Sequence, residues 1–463
     1  MQTIFRFRQW VSATVLVFLF LSGNLVASEK IVIKPFPIMP WVQPALEQEQ
    51  MKLFKDAGFT VMFIYPDETD YTKLKKLWDG NFVVFKEWNI KGYTYDDMLN
   101  FHPEDSNRIG FLMGDEPLYS KIDEYKPLFD KFRAKYPQSI CFVNLFPSYV
   151  GETRLGSSYQ DYVESYFAKL KPRYCSLDHY PCLRFDVDSP TYYYDLETFR
   201  RHAVKNNSNQ IGFVQVYSGI VQRDVSESDV TWQVNSLLAY GCKGLWYYCF
   251  RSPGAAKAYA GEENPAYRIP KLLTDGVMDL RKGKGILREY YKPAYTEGPY
   301  ILDFNDKPTL VYDYVKKVNT ETLAWGNILL GLNNIAVRHV VGFQQSFAPV
   351  GTEEFASGTE KYINSVMTSQ ATDDMGFIVS YFEDVKGQPY IMIVNKRHGE
   401  FMSRKGGKLP VNVLLNDNIE KVLVVSNETG QEGEAKIVNQ TVNFQIDGGS
   451  AVLCRLIIGQ SSK

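Results

Sequence analysis

From Ile31 to Phe250, short apolar runs alternate with stretches whose apolar residues recur every three or four positions. This alternation predicts strands followed by amphipathic helices. The runs are Ile31 to Ile38, Phe59 to Tyr65, Phe82 to Trp88, Arg108 to Gly114, Ile140 to Phe146, Arg173 to Tyr180, Ile211 to Ser218 and Cys242 to Phe250. They recur at the spacing of about thirty residues that a βα unit occupies. Eight in succession is the count that closes a (β/α)8 barrel. The stretches between them carry matching helix signals. Ser120 to Lys135 sets Ile122, Tyr125, Phe129 and Phe132 on one face, opens with a capping pattern of Ser120 and Asp123, and stops before Pro137. From Asp229, the residues Val230, Val234, Leu237 and Leu238 share a face that ends at Gly241. Met51, Phe54 and Ala57 before Gly58 repeat the pattern.

After the eighth run comes a turn-rich segment, Arg251 to about Tyr300, and then a helix predicted over Thr309 to Leu330 that completes the barrel. From Phe377 the pattern is strands alone: Phe377 to Phe382, Tyr390 to Asn395, Val411 to Leu415, Lys421 to Val425, Ala435 to Val438, Val442 to Ile446 and Ala451 to Ile457. Gly387, Gly430 and Gly448 punctuate them, which predicts a small antiparallel β-sandwich. At the amino terminus, Arg6 and Arg8 precede an apolar stretch from Trp10 to Leu21 and the small residues of Val26-Ala27-Ser28, the pattern of a signal peptide. The expected organisation is a signal peptide over 1–28, a barrel over 29–340 and a sandwich over 341–463. The mature chain is then exported, periplasmic or extracellular, with no stable membrane insertion.

Composition narrows the chemistry. With 51 basic against 53 acidic residues and no basic run, nucleic acid is not an expected partner. Six cysteines permit disulfides, yet Cys141, Cys175, Cys242 and Cys249 lie in or beside apolar strand-like runs, where cysteine often serves as a small buried residue. No close Cys pair has zinc-site spacing and the five His are scattered, so neither a metal nor another cofactor is expected. The glycines of Lys282-Gly283-Lys284-Gly285 lack the spacing of a dinucleotide fingerprint, and no Gly-x-Ser-x-Gly elbow or phosphate loop is present.

The fourth run, Arg108-Ile-Gly-Phe-Leu-Met-Gly-Asp-Glu-Pro117, ends in two adjacent carboxylates. In parallel α/β folds the carboxyl ends of the strands face the ligand, which puts Asp115 and Glu116 where a paired acid site would be built. The other reading is that they cap the next helix. Glycosidic hydrolysis needs a proton donor and a second carboxylate. Glu116 fits the donor, and Asp115 can hold a hydroxyl or raise the acid's pKa. The sixth strand ends in Asp178-His179-Tyr180-Pro181, making Asp178 the second acid, a substrate ligand, or a turn former. Gln215 and Tyr217 at the end of the seventh strand suit hydroxyl recognition. Trp246 or Tyr248 on the eighth can form a stacking floor or simply fill core, and Trp41 and Trp88 are further sugar platforms among a 14% aromatic content.

Gly114-Asp115-Glu116-Pro117 on the fourth strand resembles the Asn-Glu-Pro signature of retaining (β/α)8 glycoside hydrolases. Val230-Thr-Trp-Gln-Val234, Leu238-Ala-Tyr-Gly-Cys-Lys-Gly244 and Lys307-Pro-Thr309 through Tyr312 to Asn319 are similar to exported glycoside-hydrolase-like proteins of polysaccharide-degrading bacteria. The resemblance implies Glu116 as acid/base and a glycan as substrate. It also implies a nucleophilic glutamate on the seventh strand, where this chain has Gln215. That departure leaves three alternatives: a second carboxylate from elsewhere, Asp178 first; a nucleophile supplied by a substrate acetamido group; or a barrel that binds glycans without cleaving them.

Overall fold

The computed structural model describes residues 31–85, 92–219, 221–251, 300–303, 305–343, 345–370 and 375–459. The segment expected to be a signal peptide, Trp88 and most of the turn-rich stretch after the eighth strand lie outside them. Among the described residues, no helix is long and apolar enough to cross a membrane.

Eight strands form one parallel sheet: β1 Ile38–Pro40, β2 Val61–Ile64, β3 Asn81–Phe85, β4 Arg108–Asp115, β5 Ile140–Leu145, β6 Tyr174–Leu177, β7 Asn209–Gln215 and β8 Leu245–Tyr248. Their order is β1-β8-β7-β6-β5-β4-β3-β2, so each strand lies beside its neighbour in sequence and β1 beside β8. The Thr60 amide donates to the Ile38 carbonyl, and the Ile38 amide to Thr60 Oγ1, both at 2.8 Å, joining β1 to the start of β2 and closing the ring. The fold is thus the expected (β/α)8 barrel. The first strand is shorter and later than the apolar run suggested, because Pro35 and Pro37 remove amides a ladder needs.

Among the described residues, eight helices longer than one turn stand between or after the strands: α1 Gln48–Asp56, α2 Glu68–Leu77, α3 Tyr95–Asn100, α4 Ile122–Lys135, α5 Tyr159–Leu170, α6 Tyr192–Lys205, α7 Glu227–Ala239 and α8 Leu310–Gly331. In α4 the face Ile122, Tyr125, Phe129 and Phe132 is buried as the periodicity predicts. Its start differs: Ser120 belongs to a 3-10 turn, and Lys121 precedes the helix without a side-chain cap. A capping box instead opens α7, where Ser226 Oγ takes the Asp229 amide and the Asp229 carboxylate takes the Ser226 amide. Inside the barrel, Trp246 stacks between Phe63 and Phe213, each 4.7 Å away between ring centroids, with Phe142 edge-on at 5.8 Å.

The C-terminal strands are β9 Asn333–Val340, β10 Ile363–Thr368, β11 Phe377–Glu383, β12 Pro389–Asn395, β13 Leu409–Leu415, β14 Ile419–Val425, β15 Glu432–Glu434, β16 Thr441–Ile446 and β17 Ala451–Ile458. They form a six-stranded antiparallel sheet, β9-β11-β12-β17-β14-β15, and a three-stranded one, β10-β13-β16. Ile363, Val379, Ile391, Val411 and Leu456 fill the space between them. Strand β9 escapes a search for apolar runs because its inward positions include Asn334 and His339. Asn334 Nδ2 donates to the Ala239 carbonyl (2.9 Å), and His339 Nε2 pairs with the Tyr240 hydroxyl (2.8 Å). The strand expected over Ala435 to Val438 falls instead at Glu432–Glu434.

A buried polar latch fastens the C-terminal loop after β12 to the barrel. The His398 ring lies flat on Trp232 at 3.7 Å, and its Nε2 is 3.0 Å from Asp188 Oδ2. Arg223 bonds Asp229 at 2.8 Å and reaches Asp188 at 3.5 Å. Burial opposes a charge on His398, but Asp188 and Asp229 outweigh it and raise its pKa. Burial likewise pushes Asp188 up, and the His398 and Arg223 charges outweigh that and hold its carboxyl below the usual range. The His398 contribution is therefore complete below its unfolded pKa of about 6.5 and is lost as pH rises through the higher folded value. That of Asp188 is complete above about 3.9 and is lost as pH falls through the lower folded value. His398→Ala should cost roughly 3 kcal/mol in the mildly acidic window and less above neutrality. Thermal unfolding of wild type and variant across pH 4.5–9 checks this; a gap independent of pH would contradict it.

Candidate active site

The β4 end carries the first two carboxylates out to the rim by breaking strand alternation twice. The register of β4 against β5 shifts between Leu112 and Gly114, a bulge that re-aims the residues after it. Gly114 is required there, because a Cβ would stand 2.3 Å from the Tyr125 hydroxyl. Glu116 then adopts φ +47°, a left-handed conformation that costs a residue with a side chain roughly 1–3 kcal/mol. Its amide is held by the Asn144 carbonyl at 2.9 Å. The hydroxyl of Tyr162 donates to the Pro117 carbonyl (2.8 Å) and accepts from the Phe146 amide (3.4 Å), fixing the segment after Glu116 to the end of β5. Asp115 takes a bond from Asn144 Nδ2 (2.9 Å), and Asn144 in turn accepts from Ser176 Oγ (3.0 Å), a polar line across β4, β5 and β6.

Asp178, one residue beyond β6, is buried and its carboxyl is hydrogen-bonded to that of Glu116. Its Oδ2 also accepts a long bond from Tyr180 (3.4 Å). Burial first, and then the charge of Asp115, push Glu116 up to about 7, against the opposing pull of Asp178 and Arg154. Burial, then the charges of Glu116 and Asp115, raise Asp178 well above the ordinary carboxylate range. Two carboxyls in contact cannot both ionise cheaply, so at neutral pH the pair holds a proton and titrates as a unit.

Flanking residues hold Asp178 in place. His179 Nδ1 pairs with Asp195 Oδ2 at 2.6 Å and Nε2 with Ser189 Oγ at 2.8 Å, all three side chains buried. Asp195 also accepts the Ser148 amide (3.0 Å), so the loops after β5 and β6 are tied through one carboxylate. Tyr149, half exposed, packs edge-on to His179 at 4.9 Å. The rings of Tyr180, Tyr217 and Tyr248 stand 5.1–5.5 Å from one another, each partly exposed, and Tyr300 stacks 6.3 Å from Tyr217. Trp41, also partly exposed, covers the barrel interior above Phe213 and Trp246.

Two expected ligand contacts are corrected. Gln215 is fully buried and its amide is spent on the backbone: Oε1 accepts from Cys182 N (2.9 Å), and Nε2 donates to the carbonyls of Cys182 (3.0 Å) and Tyr217 (3.2 Å). It clamps the β6 loop to β7 and does not face the carboxyl pair's surface. Gln215→Glu should therefore supply no nucleophile; a charge placed among these bonds should destabilise the fold by several kcal/mol. A lowered Tm with no gain of activity is the expected result, and a stable variant would count against the clamp. Trp246 is wholly enclosed among aromatic rings and is core, not floor. Trp88 lies outside the described residues. The structure brings Asp115, Glu116 and Asp178 together and sets Tyr217 and Tyr248 beside them. Sequence reasoning missed Tyr149, Tyr180, Asn144 and Arg154; only Tyr180 carried a signal, its adjacency to Asp178. All six cysteines are buried.

The fold and the acid pair define a (β/α)8 barrel with juxtaposed carboxyls at the carboxyl ends of its strands. No known family's sequence profile matches the chain, and no curated protein matches it. Solved structures that resemble it include α-galactosidase from Saccharomyces cerevisiae (TM-score 0.46, 8% identity, 92% of this chain and 98% of that one). Thermotoga maritima α-L-arabinofuranosidase gives 0.41, 7%, 91% and 93%. Bacteroides uniformis β-glucuronidase gives 0.35 and 11%, with 90% of this chain spanning 43% of that protein. These structural neighbours are glycoside hydrolases.

Proposed function

We propose that this chain is an exported glycoside hydrolase that acts on a polysaccharide or oligosaccharide through Glu116 and Asp178. The observation that carries the reading is the juxtaposition of Glu116 with the buried Asp178 at the carboxyl ends of β4 and β6, beneath a rim of tyrosines. A proton held near pH 7 is what a glycosidic oxygen needs as it leaves. Glu116, the more open of the two, is the general acid/base; Asp178 is the second acid, and Asp115 sets the field that keeps the proton in place. Retaining and inverting enzymes separate their carboxyls by roughly 5–5.5 Å and 6.5–9.5 Å. A sugar that enters between Glu116 and Asp178 exchanges their mutual contact for contacts to the glycosidic oxygen and the anomeric carbon. Tyr217, Tyr248, Tyr180 and Trp41 offer rings to sugar faces. Export rests on the basic, apolar and small-residue order of 1–28.

The test is a panel of plant, algal and microbial polysaccharides read by released reducing ends, with Glu116→Gln in parallel. Release by wild type that disappears in the variant supports the reading. Glycan binding with no release at any enzyme concentration would replace it with a non-catalytic binding barrel.

A further inference from the structure

Beside the acid pair stands a cation that makes no ion pair among the described residues, although its charge acts on Glu116. Arg154 lies on the single helical turn Glu152–Leu155 after β5, exposed to solvent, its guanidinium 5.1 Å above the ring of Phe146. Phe146 is the residue whose amide is bound by the Tyr162 hydroxyl that also holds the Pro117 carbonyl, so the ring supporting Arg154 is fastened to the residue next to Glu116. Although Asp115, Glu116 and Asp178 all gather at this rim, none of the described carboxylates lies within ion-pair distance of Arg154. Among the described residues, Arg223 is committed to Asp229 and Asp188, Arg251 to Asp306, and Arg184 to the Gly219 carbonyl. A guanidinium steadied on an aromatic face, with its donor edge unspent, is preorganised to take a planar or tetrahedral oxyanion.

We propose that Arg154 is a specificity-determining residue that binds an anionic substituent of the glycan, a uronate carboxylate or a sulfate ester, on the sugar next to the cleaved bond. The inference rests on the glycoside-hydrolase reading of the same site. It also accounts for a site otherwise crowded with acids: without a fixed cation, three carboxyls at one rim would repel an acidic sugar.

The experiment uses the full mature chain carrying Glu116→Gln, so that binding is read without turnover. Probes are polygalacturonate, alginate and glucuronoxylan with their carboxyl-reduced forms, and a sulfated galactan with its desulfated form. The expected result is that one acidic glycan binds, its neutralised form binds at least tenfold more weakly, and adding Arg154→Gln weakens the acidic form by about ten- to a hundredfold while leaving the neutral form unchanged. Arg154→Lys should recover part of the loss. Whether carboxyl reduction or desulfation abolishes binding tells uronate from sulfate. Because Arg154 is exposed, an unaltered Tm verifies that the variant is folded. Equal binding of acidic and neutral forms, insensitive to Arg154→Gln, overturns the inference and leaves the hydrolase reading intact. Arg154-dependent binding of an acidic glycan that wild type never cleaves supports the inference and overturns the hydrolase reading. Binding of no probe overturns the inference and leaves the hydrolase reading to the polysaccharide panel.

Discussion

Glu116→Gln should lower turnover of a cleaved glycan by about 10²–10⁴-fold while making the protein more stable above neutral pH. Both effects come from one fact, the burial of Glu116 beside Asp115 and Asp178. The activity falls because glutamine keeps the shape but holds no transferable proton. The stability gain is a matter of linkage. A carboxyl raised from 4.5 to about 7 favours the fold below its unfolded pKa, and this is lost as pH rises through 7. By pH 8 the ionised group costs the native state roughly 3 kcal/mol relative to its free titration. Glutamine carries no charge to penalise, so its Tm should exceed that of wild type by a few degrees at pH 8 and match it near pH 4.5. Undiminished turnover would remove Glu116 from the mechanism. A Tm difference that ignores pH would show instead that its carboxyl titrates normally.

The second large effect belongs to Asp178. Asp178→Asn should cost about two orders of magnitude or more in kcat, with little change in Tm, since an amide keeps the shape of the carboxyl and can still hydrogen-bond to Glu116. Wild-type activity should fall as pH rises through about 7, because the pair must carry a proton for the leaving oxygen. Asp115→Asn removes a charge that keeps the Glu116 proton bound, so this alkaline limb should move to lower pH by up to about one unit. Profiles of kcat/KM from pH 4 to 9 for the three proteins decide the matter. If the Asp115 variant keeps the wild-type limb, its charge is not what holds the proton.

Substrate entry gives these expectations a structural logic. The buried carboxyl pair and the left-handed backbone at Glu116 each cost folding free energy. The surrounding bonds hold them: Tyr162 to Pro117 and Phe146, Asn144 to Asp115, and His179 to Asp195 and Ser189. Costs concentrated at one rim and offset by a rigid frame are what a binding or catalytic site requires.

The repeating alternation of apolar runs and helical faces determined the barrel by itself, because strand and helix periodicities are local properties that burial on two faces and on one face imposes directly. The order of eight units fixed each strand's place in the ring, which made the β4 and β6 ends legible as one rim and Asp115, Glu116 and Asp178 as neighbours. Local pattern could not tell which of two adjacent side chains a bulge would turn inward, nor that Gln215 would be consumed by the backbone of Cys182 and Tyr217. It could not separate Trp246, enclosed by rings from β2, β5 and β7, from Tyr248 two residues on. Strand β9 was hidden because its buried Asn334 and His339 find partners on α7 and the residue after it, bonds that exist only once the sheet has packed on the barrel. Proton sharing by Glu116 and Asp178, and the placing of the Arg154 cation beside them, likewise depend on distances across 38 to 62 residues of chain, which only tertiary structure sets.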